Sequence, residues 1–382
     1  MIDRMPAFFI WAAGLVLVGC SAFGGQAKPA WVNGMSLDYP AEQYLTGVGQ
    51  SDRSAAAEDQ AYAALSRVFK TEVSAQAKDW ESYLVVEQRG QSRDERRLTI
   101  DNLTKVSTDK VLENVRIADR WFDSKKQLHY ALAVMQRAQA ETAFMEKIAE
   151  LDRAIQADVD DAHRSADKLA KVRGLRRAAH NLVIRETYNA DLRVVRPSGQ
   201  GMGSPYRVNE LTMELEQFLA TNLLFAIDVA GDQAQAAQRA LSEGLIREGL
   251  QIVDRPATEA ASGSASGSPA PELLLRGFVR IWPIDVRDPQ FMYVRWCGDF
   301  EVVEVKGQRL VGAIAKGGRE GHLSEREATA KAVRVMQQEL SSDVAKAIAG
   351  HVYGESELPA EATPPAGCPR EGAGQKPAAA TH

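Results

Sequence analysis

The chain has 382 residues, 46 basic against 51 acidic, with a formal net charge of −5 at pH 7. No basic block runs along it to track a phosphate backbone, which argues against a nucleic-acid partner. Its 45% apolar and 25% charged residues are ordinary for a globular chain, and the length left after a short leader suits two domains of about 150 residues.

The first element in chain order is a leader over residues 1–19. Arg4 precedes an apolar run from Ala7 to Val18. A basic start, a short apolar stretch and small residues before a cut describe an export signal. The run is about 12 residues, short of the ~20 that a bilayer-spanning helix needs. Asp3 beside Arg4 leaves the free amino terminus as the main positive charge. Leu17-Val18-Gly19-Cys20 resembles a bacterial lipobox. That resemblance implies cleavage between Gly19 and Cys20. It also implies a lipidated Cys20 carrying diacylglycerol and an N-acyl chain, with no other cofactor. Ser21 fits the enterobacterial sorting rule for export onward to the outer membrane, so the implied location is its periplasmic face. Residues 20–30 then form a tether, whose last ten residues reach ~33 Å at most.

Residues 31–137 read as an α+β domain. Tyr44–Gly49 is a strand. Asp52–Lys78 is a helix, with Ala61, Leu65, Val68, Val73 and Ala77 at helical spacing. Trp80–Gln88 is strand-like, Gly90–Arg97 a polar loop, and Leu98–Asp109 ambiguous. Val111–Phe122 and Leu128–Met135 form an antiparallel hairpin around the turn Asp123–Lys126. Alternation puts Leu128, Tyr130, Leu132 and Val134 on one face, which sets the register.

Residues 138–187 are helical. The stripe Phe144, Ile148, Leu151, Ile155, Val159, Ala162, Ala166, Leu169, Val172 and Leu175 follows the three-and-four spacing of one helix face. It fits one helix or a pair broken at Gly174, packed on the chain's own sheets or serving as a coiled-coil surface. Residues 188–353 read as a second α+β domain. Strands are expected at Asp191–Val195, Phe225–Val229, Leu250–Val253, Glu272–Ile284, Phe291–Val305 and Leu310–Ile314. Helices are expected at Val208–Asn222, Gln233–Gly249 and Ser324 to about His351. Residues 256–271 are Ala/Ser/Gly/Pro-rich, a flexible insertion. Residues 354–382 read as a disordered tail.

Two cysteines remain beyond Cys20. An exported chain permits a disulfide, but Cys297 falls in a strand and Cys368 in the Pro/Ala/Gly tail. The plain reading is a buried Cys297 and a loose Cys368, with pairing left open. Gly199-Gln200-Gly201-Met202-Gly203 follows a strand, but a dinucleotide fingerprint would need its third glycine at Ser204; a mobile loop is the simpler reading. The six histidines have no metal-ligand spacing. No nucleophile elbow is present, so catalytic and metal residues are expected to be none. Trp282, Phe291, Tyr293 and Trp296 cluster aromatics on adjacent strands. They form either the core of that sheet or a partner or glycan platform, since aromatics are enriched at binding hot spots.

Pro29-Ala30-Trp31, Tyr44-Leu45-Thr46-Gly47-Val48-Gly49, the Ala-rich helix Ala55–Val73, Val115–Trp121 and Tyr130–Val134 resemble the outer-membrane lipoprotein family named after the Helicobacter Lpp-twenty antigen. The likeness covers about residues 29–150, and that family is also similar to the first domain of some flagellar-assembly proteins. Leu275–Arg280 and the last Ala-rich helix are loosely similar to periplasmic α+β modules of the curli-secretion lipoprotein, the Tol-B amino-terminal domain and lipoprotein activators of peptidoglycan synthases. These resemblances imply two α/β-sandwich-like modules joined by a long helical segment, without catalysis. They imply assembly or scaffolding with other envelope proteins, in flagellar or secretion machinery, or else activation of a cell-wall enzyme, with a homo-oligomer as one form.

Overall fold

The structure, a computed structural model, describes residues 27–76, 80, 113–253, 270–288 and 290–369. Gly19, Cys20 and nearly all of the segments read as strand-like at 80–88, ambiguous at 98–109 and flexible at 256–271 lie outside them. The fold is α+β, as expected. It divides into two compact units, Met1–Leu65 with Arg116–Val134, and Ser66–Val115 with Met135–His382.

In the first unit a 3-10 turn, Ala30–Asn33, precedes β1 (Tyr44–Ser51) and α1 (Ser54–Gln76); β2 (Val115–Asp123) and β3 (Leu128–Gln136) form the hairpin. The strand order is β1-β3-β2. Trp31, Trp121, Tyr130, Leu132 and Val134 are buried together. The Trp31 indole Nε1 donates to Asp119 Oδ2 at 2.7 Å, so this large ring is buried with its polar atom satisfied. Arg120 grips Glu58 through two hydrogen bonds, at 2.7 and 3.1 Å, joining β2 to α1. Strand and helix approach so closely that a Cβ on Gly47 would lie 3.0 Å from the Leu65 side chain, and one on Gly49 would lie 2.8 Å from the backbone of Gln60. Glycine at both positions is therefore a packing requirement.

The second unit opens with a helix pair, α2 (Arg137–Arg164) and α3 (Lys168–Val195). The break falls at Ser165–Asp167, not at Gly174. Asp167 caps α3, its carboxylate accepting from the backbone N–H groups of Leu169 and Ala170. Gly174 stays helical; a Cβ there would sit 2.9 Å from the Ala162 Cβ, so it permits the close pass of α2. The strand expected at Asp191–Val195 is instead the last turn of α3. The carbonyls of Val194 and Val195 accept from the Arg137 guanidinium at 2.9 and 2.8 Å, satisfying helix-end groups that have no partner within the helix. The helix pair serves its own unit: Ala162, Leu169, Val172 and Leu175 enter the same apolar cluster as the large sheet.

The glycine-rich loop after α3 is fastened rather than loose. Arg185 is wholly buried, and it donates to Asp152 and Glu186 and to the carbonyls of Met202 and Gly203 at 2.7–3.0 Å. Asn189 Oδ1 accepts from the Met202 N–H at 2.6 Å.

There follow α4 (Val208–Asn222), β4 (Leu224–Gly231), α5 (Ala234–Arg247), β5 (Gln251–Ile252), β6 (Leu273–Ile284), β7 (Met292–Glu304), β8 (Arg309–His322) and α6 (Glu325–Glu339). A π turn, Leu340–Val344, passes into α7 (Ala345–Tyr353). The sheet order is β5-β4-β6-β7-β8, parallel between β4 and its two neighbours and antiparallel from β6 to β8. β8 runs well past Ile314, where the apolar pattern stops. Its glycines keep it a strand by making room for rings on β7: a Cβ on Gly318 would be 2.7 Å from Trp296 Nε1, and one on Gly321 2.6 Å from the Tyr293 ring.

Two variants test this packing. Gly49→Val should destabilise the first unit by about 3 kcal/mol or more by forcing α1 off β1, whereas Gly203→Ala, with open space around its Cβ, should leave the melting midpoint in place. Arg185→Met should cost about 3 kcal/mol in urea denaturation, because two carboxylates and two carbonyls lose their buried donor.

Candidate functional site

The antiparallel strands β6, β7 and β8 give the large sheet two chemically different faces, because successive side chains point to opposite sides. Val294, Trp296, Phe300 and Val302 lie on one face and join Ala328, Ala332 and Met336 of α6 in the apolar core. The alternate residues Tyr293, Arg295, Cys297, Asp299 and Glu301 line the other, outer face. Register sets Arg276 opposite Glu301, Phe278 opposite Asp299 and Arg280 opposite Cys297. Asp228 of β4 pairs with Arg276, extending the charged row. The Arg276 guanidinium donates to Glu301 at 2.7 Å, an exposed pair worth little by itself.

This alternation separates the four aromatic residues singled out from sequence. Trp296 is 1% exposed and belongs to the core. Its indole N–H is buried without a hydrogen-bond partner in the described structure. Trp282 and Tyr293 are half-buried on the outer face, and Phe291 is 40% exposed just before β7. A single platform of all four does not exist. Tyr293 is held in place: its hydroxyl donates to Asp288 at 2.8 Å and the Arg319 guanidinium stacks over its ring. The bond to Asp288 raises the tyrosine pKa. Asp288 is held below its ordinary value, first by the Gln290 N–H and then by that hydroxyl.

The sequence reading missed what covers this face. Residues 354–369, expected to be part of a disordered tail, form an ordered strap. Gly354 has φ +77, a left-handed turn that ends α7. The strap passes the free edge of β8, where the Ala313 N–H donates to the Pro359 carbonyl at 2.8 Å. That contact caps an edge otherwise open to pairing with another chain. The strap then crosses the outer face. Arg295 donates to the Ala366 carbonyl. Cys368 is bonded to Cys297 in a disulfide spanning 71 residues. The reading of Cys368 as loose is thus corrected; a loop of that length corresponds to about 4 kcal/mol of stabilisation in the chain-entropy account. The available signal was the presence of Cys297 and Cys368 in a chain whose sequence was read as exported.

Beneath the strap lies a cavity of about 700 Å³. Its sheet side carries Asp228, Arg276, Phe278, Asp299 and Glu301; its roof is Ala360–Pro364. Among the described residues no group of three or more His, Cys, Asp and Glu side chains is arranged to hold a metal ion.

The root of the strap is a polar cluster. His351 Nδ1 accepts from the Leu358 N–H at 3.0 Å, and its Nε2 lies 3.2 Å from the Arg173 guanidinium. Arg173 donates to the His351 carbonyl at 2.6 Å, and Arg176 pairs with Glu355 while stacking on Tyr353. Burial, then the Arg173 charge, hold the His351 pKa below its ordinary 6.5, against opposing effects of Glu357 and the Ser356 backbone. The unfolded chain therefore binds this proton at higher pH than the folded one. The stability is complete above about pH 6.5 and is lost as pH falls through the lower folded value. Melting midpoints should drop between about pH 7.5 and pH 5.5, and His351→Gln should flatten that part of the dependence. An NMR titration of the His351 ring giving a pKa above 6.5 would contradict the assignment.

Comparison with known proteins finds no match among curated sequences. Solved structures that resemble parts of the chain include the PelC dodecamer from Paraburkholderia phytofirmans, at 19% identity and TM-score 0.22 over 31% of this chain and 85% of that one. A minor lipoprotein from Acinetobacter baumannii matches at 10% identity and TM-score 0.25, covering 35% and 93%. A secreted protein from Helicobacter pylori matches at 13% identity and TM-score 0.32, covering 78% and 97%. Within the chain itself, residues 29–136 match the family model of the LPP20 lipoproteins, the family whose pattern the Trp31, Tyr44–Gly49 and Tyr130–Val134 segments carry.

Proposed function

We propose that this chain is a lipid-anchored protein of the bacterial envelope that holds or organises other envelope proteins without catalysis, from the periplasmic face of the outer membrane. The observation that carries the reading is positional. A lipobox-like tetrad ending at Cys20 stands a short tether ahead of an LPP20 lipoprotein match that begins at residue 29. Acylation of Cys20 would supply the attachment, each buried CH₂ contributing about 0.8 kcal/mol. None of the described helices is long and apolar enough to cross a membrane. The acyl chains would confine both units to one surface and raise the effective concentration of partners there. The strapped, charged outer face of the large sheet is a surface suited to recognition. A homo-oligomer is compatible with this reading, and light scattering on the full chain in detergent measures it.

Radiolabelled palmitate should enter the wild-type chain and not Cys20→Ala, and globomycin should cause the unprocessed form to accumulate. The variant should also leave the outer-membrane fraction. Equal labelling of both chains, or a mature wild-type mass that still includes residues 1–19, would refute the anchor.

A further inference from the structure

The strap is fixed at its two ends and bare in the middle. Its root is held by the Leu358–His351 and Ala313–Pro359 hydrogen bonds. Its tip is held by the Arg295–Ala366 hydrogen bond and the Cys297–Cys368 disulfide. Between them Ala360, Glu361, Ala362, Thr363 and Pro364 form no hydrogen bond in the described structure, yet they roof the 700 Å³ cavity. The two cysteines differ in burial: Cys297 is 3% exposed under the strap, whereas Cys368 is half-buried at its tip.

We infer that the disulfide is a redox latch, and that its reduction swings residues 360–369 away and opens the outer face of the large sheet. The reductant is a dithiol. One of its thiolates attacks Sγ of Cys368, the less buried of the two cysteines, and the S–S bond breaks with Cys297 leaving as thiolate, which takes a proton from water. The second thiol of the reductant then attacks the mixed disulfide and releases Cys368. Two electrons pass to the protein, and the reductant ends as a disulfide. With the covalent tie gone, one neutral-acceptor hydrogen bond from Arg295 remains at the tip. That single bond works against the freedom regained by some ten residues. The root stays in place, because its contacts involve neither cysteine. Opening uncovers Asp228, Arg276, Phe278, Asp299 and Glu301 together, a charged strip with one aromatic ring.

The test uses the full chain in detergent with the endoproteinase that cuts after glutamate, read by mass spectrometry at the Glu361–Ala362 bond. Proteolysis at a site that must open first reports the population of the open form. A dithiol should speed this cleavage by about tenfold or more while the helices and sheets stay uncut. Cys368→Ser should cleave at the fast rate with no reductant, and its Cys297 should become reactive to maleimide. Three results would overturn the proposal. The first is unchanged cleavage at Glu361 in a chain shown by mass to be fully reduced. The second is a bond that resists the dithiol in the native chain and yields only in denaturant. The third is cleavage that spreads through the whole second unit, which would make the disulfide a staple of the fold and not a latch.

Discussion

A five-stranded sheet has two faces and two edges to cover, and in this protein the helices after β8 cover one face only. That constraint shapes the second unit. The alternation in β7 sends Trp296 and Phe300 into a core against α6, and it sends Arg295, Cys297, Asp299 and Glu301 to the opposite side. A face carrying that much charge cannot be packed under another helix without large desolvation costs. A polar, proline-rich strap can cross it while leaving water in contact with the charges. The same segment protects the edge of β8 through the Ala313–Pro359 hydrogen bond. The disulfide and the Arg295–Ala366 hydrogen bond fix the far end of that segment.

The first unit solves a different problem in a small space. Its sheet has three strands, and a sheet that size needs a packed neighbour to be stable. Gly47 and Gly49 let the backbone of α1 lie almost on β1, and the Arg120–Glu58 bonds tie the helix to the far strand. The buried Trp31 links the turn before β1 to Asp119 on β2. These segments fall within residues 29–136, the stretch that matches the LPP20 lipoprotein family.

A protein that works by holding others needs attachment, reach and a surface, not a nucleophile. In the proposed reading Leu17–Cys20 would supply the attachment, and the inferred latch would govern access to the surface. These features act on different terms. A lipid anchor sets local concentration, whereas a latch sets what fraction of molecules can engage.

Local physics was legible in the chain. Periodicity located β1, α1, the β2–β3 hairpin, α4 and β6, and it put Leu132 and Val134 on the buried face, because those signals need only near neighbours. Reading failed wherever a distant residue decided. Val194 and Val195 looked like a strand until Arg137 supplied the missing helix-end donor. Gly318 and Gly321 lay beyond the strand expected to end at Ile314, and they belong to it because Trp296 and Tyr293 fill the space a side chain there would take. Gly174 looked like a helix break, but Asp167 was the residue with a capping carboxylate. The four aromatics shared a segment but not a face. What the sequence by itself determined is the kind of most elements, those set by near neighbours, and the likeness of residues 29–136 to a lipoprotein family. Only the tertiary structure decided the sheet order, which aromatic was core, and that Cys368 meets Cys297, because these depend on contacts between residues far apart in the chain.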